Sequence, residues 1–340
     1  MIIKINGQKF EYFDKFTVDL KYNSIASTFS FGFYFDPAIH SKLHDFKAFS
    51  KIIIEDNNEV ILTGIILSHT LPRSPKKQLN VVAGYSLPGQ LGDTTIPISS
   101  YPLQSTSKSL KQLCDDLCAP FNINVEVDPD VMGDANLIFD ESTAEETETI
   151  QSYLSKLASQ RGIVLSHTPT GSLFLTKAKL KASPILEIVE GDIPNLEMVL
   201  SFDGQGMHKN INVLKDSDPE SGAADEVSVL NPFVDIEKST TKILTSGAAE
   251  DLQLAVKSAL GNDLKGIKLI INFDRFDPKG KVIRPNSIIT VIDPQLKMSN
   301  KVRWFIDSVK LTGSPKEKTA NITCYLPESL NGNLPSYIFD

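Results

Sequence analysis

Val60 to Tyr85, VILTGIILSHTLPRSPKKQLNVVAGY, reads as two strands joined by a basic, proline-containing turn. The design returns near the end of the chain as VRWFIDSVKLTGSPKEKTANITCYL, Val302 to Leu326. One constant offset aligns the two without a gap: Ser74-Pro75-Lys76 falls on Ser314-Pro315-Lys316, Ile65 on Phe305, Leu67 on Asp307 and Tyr85 on Tyr325. The strand before the hairpin also recurs, as KIIIED near residue 52 and SIITVID near residue 288. So do strands further upstream, TVDLKYN at 17–23 and EMVLSFD at 197–203. A chain that begins and ends in related β-units is confined to a duplicated design with an insert between the copies.

Taken in order, residues 2–35 alternate with period 2 (FTVDLKY, then STFSFGFYF), as half-buried strands do. Asn6-Gly7 signals a tight turn between IIKI and KFEYF. Strands over 51–55, 60–69 and 78–85 complete a first β-unit, residues 1–85. The stretch 86–105 is rich in Pro, Gly and Ser and reads as a connector. Apolar residues at 110, 113, 114, 117 and 118 predict a helix over about 107–118. Thr143 with Glu146 suggests a capping box for a second helix over about 144–161, with Gly162 as its C-cap. A hairpin turning at Pro169–Ser172 follows, so 86–183 forms a small α+β insert. From 184 to 326 the β-pattern resumes, with an acidic solvated loop at 216–226. A third helix is expected over about 248–260, ended by Gly261. The tail, 327–340, is rich in Pro, Gly and Asn and reads as extended. The expected fold is mainly β: two related tube-type β-barrel or sandwich domains flanking a small α+β domain.

With 340 residues, 41% apolar and 22% charged, the chain has the composition of a folded protein with room for two or three domains. No apolar run approaches the length of a membrane-spanning helix. The N-terminus alternates like a strand rather than carrying a secretory h-region, so folding in a cytoplasm is expected. A net charge of −8 argues against general or sequence-specific nucleic-acid binding, which needs clustered cations.

No credible catalytic, cofactor or metal constellation emerges. Gly84-Tyr85-Ser86-Leu87-Pro88-Gly89 imitates a nucleophile elbow, but one residue too many separates Ser86 from Gly89 and no helix follows. His40 and His44 lack the glutamate of a metalloprotease helix, and His69, His167 and His208 are isolated and read as surface residues. Asp128, Asp130 and Asp134 around Gly133 miss the calcium-loop spacing. Glu145, Glu146 and Glu148 read as helix-start charges. Asp203-Gly204-Gln205-Gly206 reads as a hairpin turn, and Cys114 and Cys118 as buried apolar thiols. Phe29, Phe31, Phe33 and Phe35 form either a buried strand face or a stacking surface. The basic turns Arg73–Lys77 and Lys316–Lys318 stand as solvated tips or as parts of a ring of positive charge.

The order of parts, a β-unit, an α+β insert and a second related β-unit, resembles the baseplate hub proteins of contractile-tailed bacteriophages, especially the Mu-like branch. VILTGIILSHTL resembles that family's strand with a Thr-Gly step, and VVAGYSLPGQLGDTTIP its strand-to-loop segment, with Tyr85 in place of arginine and Gly92 in place of valine. SLKQLCDDLCAPFNINVEVD resembles its helix-then-turn segment, with Asn122 in place of glycine. ETETIQSYLSKLASQRGIVLSHTPTGSLFLTKA resembles its acidic helix start, Leu-Ala pair, Gly and hairpin. The resemblance covers about residues 10 to 326. It implies a structural, non-enzymatic role without a cofactor: a homotrimer forming a pseudo-sixfold ring that adapts a sixfold tail tube to a trimeric spike and lets DNA or effectors pass. Implied partners are further copies of the chain, the spike, the tube or its initiator, other baseplate proteins and the tape measure. The implied location is the virion tail, after assembly in the host cytoplasm. The competing readings are a tail-associated cell-wall hydrolase, and a monomeric carbohydrate- or receptor-binding β-protein using the Phe29–Phe35 stripe.

Overall fold

The alternating N-terminal sequence forms seven strands in the computed structural model, which describes residues 1–35, 46–74, 78–98, 104–215, 225–244, 252–278 and 280–335. They are β1 (Ile2–Ile5), β2 (Gln8–Phe10), β3 (Lys15–Lys21), β4 (Thr28–Phe33), β5 (Lys51–Asp56), β6 (Glu59–Thr70) and β7 (Asn80–Ser86). Two turns have left-handed backbone at both central residues, Asn6-Gly7 between β1 and β2 and Asn57-Asn58 between β5 and β6. Such turns match the right-handed twist of antiparallel strands, and Asn and Gly tolerate that conformation best. The strands lie in the order β3-β4-β7-β6-β5-β1-β2, each antiparallel to its neighbour. Inward positions of β4 bury Phe29, Phe31 and Phe33, and Phe31 and Phe33 pack with Phe10 and Phe46. Each such ring contributes roughly 2 kcal/mol by leaving water.

The middle of the chain builds β8 (Gln104–Ser109), α1 (Leu110–Cys118), β9 (Val125–Val127), α2 (Met132–Asn136), β10 (Ile138–Thr143), α3 (Ile150–Gln160), β11 (Val164–His167) and β12 (Leu173–Thr176). Ser109 caps α1 reciprocally with Gln112, so the first predicted helix starts later than expected and 104–109 pairs with β10 instead. The second also starts later. Thr149 accepts the Ser152 N–H and is the true N-cap, whereas Thr143 ends a strand. Strand pairing by β10 removed the first turn that the capping-box pattern had offered. Gly162 sits at φ +63° just past the helix, as expected of a C-cap glycine. The apolar stripes of α1 and α3 meet Leu165, Leu173 and Leu175 in one core, in which Cys114 and Cys118 are buried.

The remaining elements are β13 (Leu186–Val189), β14 (Glu197–Phe202), β15 (Asn210–Lys215), β16 (Glu226–Leu230), β17 (Ser239–Leu244), α4 (Leu252–Leu264), β18 (Ile267–Phe273), β19 (Ser287–Asp293), β20 (Met298–Gly313) and β21 (Lys318–Tyr325). Strands β13 to β21, apart from β15–β17, take the order β14-β18-β21-β20-β19-β13. In chain order the six strands β1, β3, β4, β5, β6 and β7 correspond to β13, β14, β18, β19, β20 and β21. Replacing each by its counterpart turns β3-β4-β7-β6-β5-β1 into that second order. The two copies differ at one end, where β1 is antiparallel to β5 but β13 is parallel to β19. Among the described residues no pairing closes either set into a barrel. The mainly β fold with a small α+β insert and two related β-units is therefore present as read from the repeat.

The second copy carries an insertion of its own. β15 lies between β16 and β17 in a separate sheet, packed on α4 through Ile211, Val213, Ala255, Val256, Leu260 and Leu264. The turn Asp203-Gly204-Gln205-Gly206 accordingly leads from one sheet to another rather than closing a hairpin, with Asp203 accepting the Gln205 N–H. The third helix runs on to Leu264, through the glycine expected to stop it. A Cβ at Gly261 would stand 2.4 Å from the Ser329 carbonyl oxygen, so this glycine admits the tail. The tail is not simply extended: Pro327–Leu330 forms a 3-10 turn against α4, and Gly332, at φ +65°, passes within contact of the Lys257 backbone. Most of the acidic loop, at 216–224, and the last residues, 336–340, lie outside the described residues.

The chain divides into two compact units. One comprises Met1–Lys177, Phe273–Pro285 and Ser308–Ala320; the other comprises the described residues of Ala178–Asn272, Asn286–Asp307 and Asn321–Asp340. In the first, the Arg284 guanidinium donates to the Glu59 carboxylate at 2.6 Å and to the Val60 carbonyl at 2.7 Å, and Phe276 packs on Phe16. Residues 308–313 of β20 pair antiparallel with β3 in the same unit. In the second, Arg303 donates to the carbonyls of Leu180 and Ala182.

Candidate functional site

Several of the residues singled out in the sequence are hydrogen-bonded within the fold. Ser86 is buried, donates its hydroxyl proton to the Ile25 carbonyl at 2.8 Å and accepts the Ser27 N–H at 3.1 Å, fastening β7 to the β3–β4 connection. Asp128 caps the turn Pro129–Val131 by accepting the Asp130 N–H, and it accepts the Thr176 hydroxyl at 3.0 Å. Glu148 is the buried member of the glutamate cluster. Burial pushes its carboxyl up, but Lys156 at 3.0 Å, the Glu145 N–H and the Ser152 hydroxyl together hold it below the ordinary range. Burial raises both helix thiols, Cys118 to about 12, so neither is a thiolate near neutrality.

The isolated histidines are less superficial than their sequence context suggests. His69 stacks on Phe33 and meets Phe46 edge-on, with an enclosed, unpartnered Nε2, and burial lowers its pKa. His167 places Nδ1 3.1 Å from the Ser24 carbonyl, and His208 is held through backbone and ring by Asp263 of α4. His40 and His44 lie outside the described residues. Of the aromatic run, Phe29, Phe31 and Phe33 are core and only Phe35 is exposed, so no four-ring stacking face exists. Among the described residues no three His, Cys, Asp or Glu side chains stand together as a metal site.

The two basic turns have different fates. Arg73 is exposed, while 75–77 lie outside the described residues. Lys318 is not part of a free positive tip: it donates to both carboxylate oxygens of Asp56, at 2.7 and 2.8 Å, and the Met1 amino group joins the same carboxylate at 2.9 Å. Burial raises the Asp56 carboxyl, but Lys318 and the amino terminus outweigh it and leave it below its ordinary value. This ion pair escaped sequence reasoning although a signal was present: alternation in KIIIED puts Asp56 on the face of Ile52 and Ile54.

What remains unspent is strand edge and apolar surface. β14 is terminal in its strand order and pairs with β18, yet it exposes Val199 and leaves Met198 and Leu200 half-buried. The distal part of β6 exposes Leu67, and Leu71 follows it. A bare apolar edge invites another strand, and isolated soluble chains usually blunt it with charge or proline. An edge of this kind is suited to binding protein.

Residues 89–177 match the family model described as baseplate hub protein gp44-like, second domain, which corresponds to the unit built around α1 and α3. The chain is 23% identical over 190 residues to the baseplate hub protein gp44 of Escherichia phage Mu, a match covering 56% of this chain and 48% of that protein. The match thus spans about half the length of the curated relative. The fold resembles the crystal structure of the 43 kDa tail protein of prophage MuSo2 from Shewanella oneidensis. That likeness has a TM-score of 0.81 and 18% identity, with 97% of this chain and 99% of that one covered. It also resembles an Escherichia coli type VI secretion component described as structurally similar to T4 phage tail proteins gp27 and gp5. There the TM-score is 0.58 with 10% identity, and 99% of this chain and 80% of that one are covered. The resemblance to phage baseplate hub proteins read from the sequence is borne out by these matches.

Proposed function

We propose, from the baseplate-hub domain matched at 89–177 and the twofold recurrence of one strand order, that this chain is a structural hub of a contractile phage tail. Three copies form a ring in which six related β-units, two per chain, approximate sixfold symmetry. Such a ring meets a sixfold tube on one side and a threefold spike on the other, and closed cyclic assembly leaves no strand edge bare. The β-units at 1–85 and 184–326 build the wall, and the 86–183 insert lies outside it or at its base. DNA or effectors pass through the lumen, and the partners are the spike, the tube or its initiator, neighbouring baseplate proteins and the tape measure. The site of action is the virion tail.

The observation that carries this reading is the recurrence of the six-strand order with its counterparts in the same chain sequence. One chain then holds two positions of a nearly sixfold array, which a single β-unit or an enzyme domain has no reason to do. The role is mechanical.

Light scattering on the purified chain tests the reading. The expected particle has three times the 37.4 kDa chain mass and, by electron microscopy, threefold symmetry with six similar lobes. A monomer at every accessible concentration refutes it. Cell-wall lysis lost on changing one carboxylate would instead establish the hydrolase reading.

A further inference from the structure

Within the first unit, the repeat displays one strand contact whose counterpart is missing. Residues 308–313 of β20 pair with β3: Val309 stands opposite Leu20, Lys310 opposite Asp19 and Leu311 opposite Val18. In the other copy β6 takes the place of β20 and β14 the place of β3, so the equivalent contact joins β6 to β14. Neither strand makes it among the described residues. The β5 ladder on β6 stops at Ile65 opposite Lys51, with Ile66 bonded to residues 49 and 50, and β14 is a terminal strand.

We infer that β14 of one copy pairs antiparallel with the distal part of β6 of a second copy, with His69 opposite Leu200, Thr70 opposite Val199 and Leu71 opposite Met198. The inference rests on the hub reading and specifies its inter-chain seam.

Backbone direction supports that register independently. The Ser86 N–H bonds to the Ser27 carbonyl, so even-numbered β7 residues face β4 and odd ones face β6. Ala83 and Val81 therefore bond toward their partners Ser68 and Thr70. This leaves the peptide groups of His69 and Leu71 directed to the side that β5 has vacated. On β14, the Asp203 N–H bonds to the Gly266 carbonyl, which turns odd residues toward β18 and leaves Met198 and Leu200 directed outward. The transposed register brings the two outward sets together. Thr70 and Val199 then form the close, non-hydrogen-bonded pair between them. Pro72, which has no N–H, falls at a position whose backbone faces β7, so it removes no bond from the new ladder.

Burial tells the same story. In β3, which has strands on both sides, Val18 and Leu20 are 1% and 4% exposed. Their counterparts Met198 and Leu200 are only half-buried, and Val199 is 55% exposed. The sequence pattern is alike at both places; the neighbour is what differs.

A Thr70→Cys/Val199→Cys double variant tests the seam, because the three native cysteines are buried. Under mild oxidation it should give covalently linked oligomers containing a disulfide between residues 70 and 199 of different chains, absent from either single variant. Light scattering is run on the same samples. A trimer that never cross-links overturns the seam while leaving the hub reading intact; a monomer overturns both. Hydrogen exchange on the unmodified protein covers the case of a variant that does not fold. The amides of Met198, Leu200, His69 and Leu71 should exchange at least tenfold slower in the trimer than in dilute, dissociated protein. Unchanged exchange at all four refutes the seam.

Discussion

Strands β3 and β14 occupy the same place in two copies of one design, yet among the described residues one has strands on both sides and the other on one side only. The hairpins differ in a complementary way. In β6–β7, Gly64 and Gly84 let the strands approach so closely that a Cβ would meet the Tyr85 or Ile65 carbonyl at about 2 Å. The positions aligned with them in β20–β21 are Trp304 and Cys324, both fully buried. The strand-end carboxylates diverge as well: Asp56 at the end of β5 is ion-paired with Lys318, whereas Asp293 at the end of β19 caps a turn through the Gln295 and Leu296 N–H groups. Duplication thus preserved the order of strands while packing and polar contacts drifted apart. Topology survives such drift because strand order depends on many backbone bonds, and each side chain only on its local cavity.

A tryptophan truncation tests the divergent cores. Trp304→Ala should cost about 3–5 kcal/mol in chemical denaturation followed by circular dichroism, as full loss of a buried indole does. Trp304→Phe should cost much less, since the indole Nε1 has no partner to lose. Equal losses for both would mean that the N–H finds a partner in solution.

Next come the two strand-end carboxylates. Lys318→Met should cost about 2–3 kcal/mol, mainly by leaving Asp56 short of a counter-charge; the pair's own Coulomb energy is trimmed by partial solvent access to the lysine. Asp293→Ala should cost about 1 kcal/mol, the usual value of a cap. Their pH responses separate them. The folded pKa of Asp56 is depressed by Lys318 and the amino terminus, so its stabilisation is present above the unfolded pKa and is lost as pH falls through the folded value. Thermal melts of the Lys318→Met variant should therefore show a shallower loss below about pH 4 than those of the unmodified chain. Parallel acid limbs would count against the ion pair.

Gly261→Ala examines a feature confined to the second copy. Alanine ordinarily stabilises a helix interior by about 1 kcal/mol over glycine. Here its Cβ would meet the Ser329 carbonyl, so a loss of about 1–3 kcal/mol and faster proteolysis of the tail are expected. A gain would show that the tail is not seated on α4.

The smallest stability effect belongs to the bare edge. Val199→Lys should change chain stability by less than about 0.5 kcal/mol, as exposed substitutions do, yet reduce assembly in sedimentation runs. Asp19→Lys, at the enclosed counterpart, faces Lys310 and should cost about 0.5–1 kcal/mol. If Val199→Lys assembles normally, the two edges are not equivalent in the assembled protein.

Much of the fold was legible because strand alternation and helical stripes are local patterns. The KIIIED and TVDLKY segments and the apolar stripe of α1 all lie where their periodicity placed them. The starts of α1 and α3 were less legible, since Thr143 offers a plausible cap that strand pairing overrides. Gly261 likewise resembled a terminator because sequence does not reveal a carbonyl arriving from Ser329. The candidate seam was half legible: repetition was visible in the letters, but which copy lacked a neighbour was not.

The repeated β-units, the mainly β character and the middle α+β unit could be read from the letters, because each is written in spacing over a few residues or in repetition of a pattern. Only long-range contacts settled that β15–β17 leave the second copy for a sheet of their own, that Lys318 reaches Asp56, and that β14 has a single strand neighbour among the described residues. Those outcomes depend on which distant backbone or charge fills a given side of a strand. Alternation reports the face a residue takes, and carries no information about the neighbour beside it.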